Sequence, residues 1–295
     1  MITDKHFLNA VNNTNVDFTG WDFSIITRTG RMDSNMLSWS YGSEACHLIQ
    51  NSNVALDMGT GGGEFLSLLQ PFPHVMYATE GYKPNVPIAK KRLEPFGVTV
   101  VERTENENLP FKDGTFDLIL NQHEAFCASE VRRILSKGGT FFTQQVGGLD
   151  CSRINECIGV PLNKEFCNWN LKKAIEELQQ SSFNIIFCKE EFPVQRFYDI
   201  GALVFYLKAI PWQVPNFDIE THIGGLYNIH QIIQSQGFFD AKQHRFIIKA
   251  EAKNRIITRR KRISDWGSAF CLLMIIIHKI HDVDRGRFSY VMERL

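Results

Sequence analysis

A run of glycines between two apolar stretches, in the segment VALDMGTGGGEFLSLL at residues 54–69, constrains the fold of this chain most strongly. Val54–Leu56 predicts a short buried strand, and the apolar positions within residues 64–69 predict the start of a helix. A strand, a glycine turn and a helix in this order form a ligand site at the carboxyl edge of a parallel sheet. Glycine lets the main chain approach a ligand where any Cβ would collide. The segment therefore predicts a site for an adenosine-type ligand, with the binding residues Asp57, Gly59, Thr60, Gly61 and Gly63.

The glycine spacing separates this segment from two other nucleotide-binding loops. No Lys-Ser or Lys-Thr pair follows the last glycine, so the segment is not a phosphate loop. A dinucleotide site has its third glycine at the position where Glu64 stands. The pattern Asp57-x-Gly59-x-Gly61-x-Gly63 instead closely resembles the first motif of the class I S-adenosylmethionine-dependent methyltransferases. A glycine-rich turn in some other α/β protein is the alternative interpretation.

An acidic residue follows the second predicted strand. Val75–Thr79 predicts this strand, and Glu80 stands at its end, about 20 positions after the glycine turn. A carboxylate at this spacing can accept hydrogen bonds from both hydroxyls of a ribose. Glu80 is therefore predicted to bind the cofactor, and a solvated glutamate at a strand end is the alternative.

Two further segments extend the resemblance. LPFKDGTFDLI at residues 109–119 is typical of the family, as is a helix, closed by Lys-Gly-Gly, before an apolar strand at residues 130–146. The resemblance implies an α/β fold with a seven-stranded, mostly parallel sheet, helices on both faces and the last strand antiparallel. Residues 245–250 predict this last strand, at the edge of the sheet. The resemblance also implies S-adenosylmethionine as the cofactor, with adenine contacts from Asn106 and from Glu105, where the family more often has Asp.

Polar residues follow the fourth predicted strand, where this fold places groups that face cofactor and substrate. Asn121 is predicted to contact the cofactor. His123 is a candidate general base because a histidine pKa lies near neutral pH, and a structural histidine is the alternative. Glu124 is a candidate substrate contact, an orienting group for His123 or a charge at a helix N-terminus. Gln144 and Gln145 are unusual within the fifth predicted strand, and either is a candidate substrate contact.

Two segments lie outside the strand–helix repeat of the predicted methyltransferase domain, residues 1–252. Residues 1–51 are predicted to form an N-terminal cap, which either covers the cofactor, with Arg31 at the methionine carboxylate, or only completes the core. Residues 193–236 are predicted to form a lid over the substrate, and a packed surface hairpin is the alternative. The candidate residues of the lid are a second catalytic base, Tyr198, and two substrate contacts, Arg196 and Trp212.

The last stretch, residues 253–295, differs in character from the rest. A basic run at residues 255–262 precedes the apolar run FCLLMIII at residues 270–277. The apolar run is shorter than the roughly 20 residues that a membrane-spanning helix needs. The stretch is predicted to be a helical appendage. A surface for RNA or a membrane and a poorly ordered extension are the alternatives.

The composition limits the partners and the compartment. The 32 Lys and Arg residues balance 32 Asp and Glu residues, so no overall charge attracts the chain to nucleic acid or a membrane. The seven cysteines include no C-x-x-C pair, which favours reduced thiols of a cytoplasmic protein over a disulfide framework or a zinc site. The first residues show no signal-peptide pattern. No metal ion and no stable membrane insertion are predicted.

The predicted function is direct, SN2-type transfer of a methyl group from S-adenosylmethionine to a small molecule. Alignment of the reacting atoms provides most of such catalysis, so no covalent residue is needed. An RNA base methyltransferase, with phosphate contacts from Arg196 and the basic run, is one alternative. A non-catalytic S-adenosylmethionine-binding module is the other. The sequence does not predict the oligomeric state.

Overall fold

The computed structural model describes residues 2–14, 23–103 and 105–253, which belong to one compact unit. Strands and helices alternate along most of these residues. The strands are β1 (Met32–Ser34), β2 (Val54–Met58), β3 (Val75–Glu80), β4 (Val98–Glu102), β5 (Phe116–Gln122), β6 (Leu135–Val146), β7 (Phe183–Glu191), β8 (Val194–Phe197), β9 (Phe239–Lys242) and β10 (Arg245–Ala252). The helices are α1 (Lys5–Asn12), α2 (Ser24–Thr27), α3 (Tyr41–Gln50), α4 (Asn85–Leu93), α5 (Ala128–Ile134), α6 (Ser152–Ile158), α7 (Leu171–Gln180), α8 (Ile200–Ala209) and α9 (Ile219–Gln236).

The larger sheet has seven strands in the order β4-β3-β2-β5-β6-β10-β7. The strands from β4 to β6 pair in parallel, and β10 pairs antiparallel with β6 and β7. The predicted seven-stranded, mostly parallel sheet with an antiparallel last strand is confirmed. The strand order reverses direction between β2 and β5. Loops that leave these two strands therefore diverge and open a crevice at the carboxyl edge.

The predicted edge position of the last strand is wrong. β10 lies between β6 and β7, and β7 is the edge strand. Consecutive side chains of a strand point to opposite faces, and Phe246, Ile247 and Ile248 are all buried, so β10 needs cover on both faces. On β7, by contrast, Ile186 and Phe187 are exposed.

The predicted helix after the glycine turn is also wrong, because only a 3₁₀ turn forms there, at Leu66–Leu68. Pro71 and Pro73 follow closely and have no N–H to donate within a helix. The chain must also enter β3 at Val75. These constraints leave no room for a longer helix.

Capping defines the start of α3, and strand pairing defines the end of α5. The N-cap of α3 is Ser40, whose hydroxyl accepts a hydrogen bond from Ser43 N at 3.2 Å. The predicted glycine cap after α5 is absent, since Leu135 already has extended backbone and pairs with Phe116 of β5. Gly138, with φ +71°, lies within β6 instead.

The predicted cap and the predicted lid contribute to one second lobe with its own core. β1 pairs antiparallel with β8, and β8 with β9, in a three-stranded sheet. Arg31 Nε and Nη2 donate to the two carboxylate oxygens of Asp199 at 2.8 and 2.6 Å, across 168 positions of sequence. Helices α1, α6, α8 and α9 surround this sheet with buried side chains that include Phe7, Val11, Ile154, Phe197, Leu203, Leu226 and Phe239.

The apolar residues of the larger sheet form two further buried clusters. Within the described ranges, each helix is too short or too polar to span a bilayer. The predicted appendage lies outside the described residues from residue 254 onward.

Phe7 tests whether the N-terminal segment is an integral part of the second lobe. Its ring is fully buried, 5.2 Å from the ring of Tyr227. We expect Phe7→Ala to lower the free energy of unfolding by about 3–5 kcal/mol, measured by urea denaturation. The matched control is Phe96→Ala, because the Phe96 ring is 48% exposed and its loss leaves no cavity. Equal effects of the two substitutions would contradict this account of α1.

Candidate functional site

The glycine turn after β2 depends on backbone angles and close contacts that glycine permits. Gly59, Gly61 and Gly63 have φ values of +70°, +61° and +77°. A Cβ on Gly63 would lie 2.7 Å from Leu93 Cγ, so the turn packs directly against α4. A Cβ on Gly59 would lie 2.4 Å from Glu124 Cγ. The turn is therefore confined between α4 and the residues that follow β5.

Asp57, at the end of β2, carries a strongly perturbed carboxyl group. Desolvation raises its pKa to about 7, the nearby Thr60 hydroxyl opposes this shift, and the negative charge of Glu80 adds to it. The carboxyl group is therefore partly protonated at neutral pH. A cation bound nearby would favour its ionised form.

Glu80 is buried at the end of β3. Its Oε1 accepts a hydrogen bond from Tyr82 N at 2.6 Å. Desolvation raises the pKa of Glu80, while the main-chain N–H groups of Tyr82 and Gly61 and the charge of Arg103 oppose that shift. The side chain is held beside the glycine turn, as a ribose-binding carboxylate would be.

An ion pair crosses the same edge of the sheet. Arg103 Nη2 donates to Glu124 Oε1 at 2.7 Å, and the two side chains are only 7% and 30% exposed. Glu124, a candidate substrate contact from the sequence, thus lies against Gly59 at the glycine turn. Arg103 was missed by sequence reasoning. The available signal was the position of Arg103 immediately after β4. Arg103 follows Glu102, which pairs with Glu80.

Several buried polar atoms at this edge lack a protein partner within the described residues. They are Asn121 Nδ2, Asn106 Oδ1 and Arg103 Nε. Asn121 Oδ1, in contrast, accepts from Thr143 Oγ1 at 2.7 Å and from Gln145 Nε2 at 2.6 Å. These two bonds fix the orientation of the Asn121 side chain, and its amide nitrogen is left without a protein partner. We call Asp57, Glu80, Arg103, Asn121 and Glu124 the polar edge.

His123 follows β5 with a left-handed backbone, φ 63°. Its N–H donates to Gln144 O at 2.7 Å, and its Nε2 lies 3.0 Å from Gln144 Nε2. The residue is exposed to solvent. Desolvation and then the charge of Arg245 lower the pKa of His123 to about 3. The imidazole is therefore neutral at physiological pH.

The lid candidates have partners within the second lobe. Arg196 donates to both carboxylate oxygens of Asp240, at 2.7 and 2.8 Å, and its guanidinium lies 3.5 Å from the centroid of the Phe238 ring. Tyr198 and Trp212 are exposed. Glu105 is also exposed, next to the partly buried Asn106. The structure thus brings together the glycine turn, the polar edge and His123. Arg196 and Arg31 instead pair with carboxylates elsewhere in the protein.

The raised pKa of Asp57 predicts a pH-dependent stability. The folded carboxyl group titrates at about 7 and the unfolded one near 3.8, so the folded state binds more protons between these values. The contribution of Asp57 to the free energy of unfolding of the wild type therefore falls as the pH rises from about 4 to 7. We expect Asp57→Asn to gain on the order of a few kcal/mol relative to wild type over that window, measured by urea denaturation. A difference that stays constant with pH would contradict the desolvation of Asp57.

Comparison with known proteins agrees with this geometry. Residues 56–143 match a family model described as a methyltransferase domain. A presumed methyltransferase from Bacillus halodurans has the same fold, with 16% identity, a TM-score of 0.52 and coverage of 72% of this chain and 100% of that one. The YcgJ protein from Bacillus subtilis also has this fold, with 16% identity and a TM-score of 0.50. The match covers 72% of this chain and 99% of that one. No curated protein sequence matches this one.

The segment that matches the family model starts in β2 and ends in β6. It contains Asp57, the glycine turn, Glu80 and Asn121. All five residues of the polar edge therefore lie within the matched segment. Residues 56–143 thus match a methyltransferase domain, and the chain shares the fold of the two solved structures.

Proposed function

We propose that this protein is a cytoplasmic enzyme that binds S-adenosylmethionine at the polar edge and transfers its methyl group to a small molecule. The observation that carries the proposal is the set of buried polar atoms without a protein partner, on Asn121, Asn106 and Arg103. Each such atom costs about 1–3 kcal/mol, and a polar ligand at this edge would provide the missing partners. The free thiols of the six cysteines in the described ranges support the cytoplasmic compartment.

The charges at the polar edge fit the cofactor. Asp57, Glu80 and Glu124 supply three carboxyl groups, and Arg103 is their cationic neighbour. S-adenosylmethionine, when bound, supplies a methyl group made electrophilic by a positively charged sulfur. Excess carboxylate favours a ligand that carries a sulfonium and an ammonium group. The edge therefore suits this cofactor better than a nucleotide with several phosphates.

Individual residues have distinct tasks in holding the cofactor. Glu80 would accept from the ribose hydroxyls, and the main chain from Gly59 to Gly63 would lie along the ligand without Cβ atoms in the way. Asn106 would face the adenine, with Glu105 at the exposed rim. Asn121 would donate its free amide hydrogens. Thr60 lies within the turn, and the hydrogen bond from its N–H to Thr79 O, 2.9 Å long, holds its main chain in place.

The N-terminal segment supports a small acceptor, because it reaches the strand ends next to His123. Trp39 Nε1 donates to Gln144 Oε1 at 2.7 Å. Cover at this place restricts the space for an acceptor. Glu124, Arg196 and Trp212 remain candidate substrate contacts, and His123 and Tyr198 remain candidate bases for an acceptor that must lose a proton.

An RNA acceptor has less support. The balanced total charge provides no attraction for a polyanion, and Arg196 and Arg31 are each engaged by a carboxylate. The basic run at residues 255–262 lies outside the described residues. A non-catalytic binding module would use the same polar edge, so turnover distinguishes it from an enzyme.

Glu80 provides the test of cofactor binding. We expect Glu80→Gln to weaken S-adenosylmethionine binding roughly 10- to 150-fold, measured by titration calorimetry, because a charge-assisted hydrogen bond contributes about 1.5–3 kcal/mol. Glu94→Gln, an exposed glutamate after α4, is the control and should bind as wild type does. Absence of binding by the wild type, or equal binding by all three proteins, would overturn the proposal.

The acceptor class can be tested by transfer of label. We expect label from methyl-labelled S-adenosylmethionine to enter a small-molecule extract and not an RNA extract, when each is incubated with the full chain and fractionated. Glu80→Gln should lower the transfer of label, and this decrease would link the transfer to the polar edge. Label in RNA would support the RNA alternative. Binding without transfer to either extract would support the non-catalytic module.

A further inference from the structure

Three side chains form a hydrogen-bonded series that ends at the strand edge beside the polar edge. Trp39 Nε1 lies 2.7 Å from Gln144 Oε1, and Gln144 Nε2 lies 3.0 Å from His123 Nε2. Gln144 is buried in β6, Trp39 is partly buried, and His123 is exposed to solvent. The series therefore leads from the interior to a group that a ligand can reach.

The chemistry of the first member determines the direction of every bond in the series. An indole N–H can only donate, so the atom of Gln144 that faces Trp39 must be the amide oxygen. The amide nitrogen of Gln144 then faces His123, and it can only donate. His123 Nε2 must accept this bond, so it carries no proton. The single proton of the neutral imidazole therefore resides on Nδ1.

The surroundings of His123 favour this neutral form. Desolvation by neighbouring protein groups and the nearby guanidinium of Arg245 both oppose a positive charge on the ring. His123 Nδ1 has no hydrogen-bond partner among the described residues. The ring thus has one N–H donor, on Nδ1, that no described residue accepts.

We propose, building on the methyltransferase function proposed above, that His123 acts as a neutral hydrogen-bond donor that holds a carbonyl or carboxylate oxygen of the acceptor. Trp39 and Gln144 are positioning residues, because they determine which ring nitrogen carries the proton. His123 would then be a catalytic residue that binds the acceptor without removing a proton from it.

The donor role constrains the transfer step. The acceptor atom uses its own lone pair to form the bond to the methyl carbon, and the carbon–sulfur bond breaks with its electron pair left on sulfur. The sulfonium becomes a neutral thioether. His123 keeps its Nδ1 proton throughout, and an acceptor atom that carries an acidic proton loses it to water before transfer. The favoured acceptors therefore have an atom that is nucleophilic without a protein base, next to an oxygen that accepts from His123.

The tautomer can be measured without cofactor or acceptor. In two-bond ¹H–¹⁵N spectra of the full chain at neutral pH, we expect protonated Nδ1 and unprotonated Nε2 for His123, identified by loss of its signals in His123→Asn. His244 provides an internal reference for the opposite tautomer, because its Nδ1 accepts from Leu149 N at 3.3 Å and its Nε2 lies 2.8 Å from Glu190 Oε1. Protonated Nε2 on His123, or a doubly protonated ring, would overturn the proposal.

Gln144→Glu is the most informative substitution. A carboxylate at this position accepts from Trp39 and also from His123 Nε2, so we expect the proton of His123 to move from Nδ1 to Nε2. The spectrum of His244 should stay as it is in wild type. Gln144→Leu removes the acceptor and the donor together, and it should leave His123 as a mixture of tautomers. An unchanged His123 spectrum in Gln144→Glu would mean that Gln144 does not control the tautomer.

Kinetics with the acceptor found by label transfer separates a donor from a base. Asn tolerates the left-handed backbone at this position and keeps an N–H donor, but it is not a base. We expect His123→Asn to retain activity within about tenfold of wild type, and His123→Phe to raise KM roughly 10- to 150-fold, the value of one strong hydrogen bond. A loss of kcat of about 10²- to 10⁴-fold in both variants would instead identify His123 as a general base. If S-adenosylmethionine does not bind at all, the proposed function fails, while the spectra still decide the tautomer.

Discussion

Two carboxyl groups at the ends of neighbouring parallel strands set the conditions for the rest of the site. Asp57 ends β2 and Glu80 ends β3, and parallel strands bring both groups to one edge. Desolvation raises the pKa of each, and the charge of Glu80 raises that of Asp57 further. Burial of like charges is costly unless other groups compensate for it. The compensating groups are the N–H groups of Tyr82 and Gly61 and the guanidinium of Arg103, and a cationic ligand would add to them.

The other end of the crevice depends on where β10 lies in the sheet. Between β6 and β7, its first residue, Arg245, stands opposite Val146 and Glu191. Arg245 donates to the Asp150 carboxylate, and Asp150 also accepts from His244 N at 2.7 Å. The two side chains are only 13% and 11% exposed, and the ion pair holds the guanidinium and its charge close to His123. Through this charge, the strand order of the sheet adds to the desolvation that lowers the pKa of His123.

Short sequence patterns predicted the parts of the molecule whose structure depends on residues that are close in the sequence. The glycine turn, Glu80 and the strands from β2 to β6 follow from hydrophobic runs and from residues that permit sharp turns. The position of β10 did not follow, because pairing between distant strands leaves no local signal. The pairs Arg31–Asp199 and Trp39–Gln144 join residues 168 and 105 positions apart, so the single second lobe and the hydrogen-bonded series at His123 were beyond sequence reasoning. The single 3₁₀ turn at Leu66–Leu68 was more accessible, since Pro71 and Pro73 are visible in the sequence.

Gln144 acts on His123 through two different groups. Its carbonyl accepts from His123 N at 2.7 Å, which holds a left-handed backbone that costs on the order of 1–3 kcal/mol. Its side chain determines which imidazole nitrogen is protonated. Both groups belong to β6, whose pairing with β5 places Gln144 opposite Gln122. The direction of the His123 donor is therefore determined by the register of the central sheet and does not depend on a flexible loop. Methyl transfer obtains its rate from alignment, which can remove as much as ~7–11 kcal/mol of the barrier. A donor held by the sheet itself meets this need for accurate positioning.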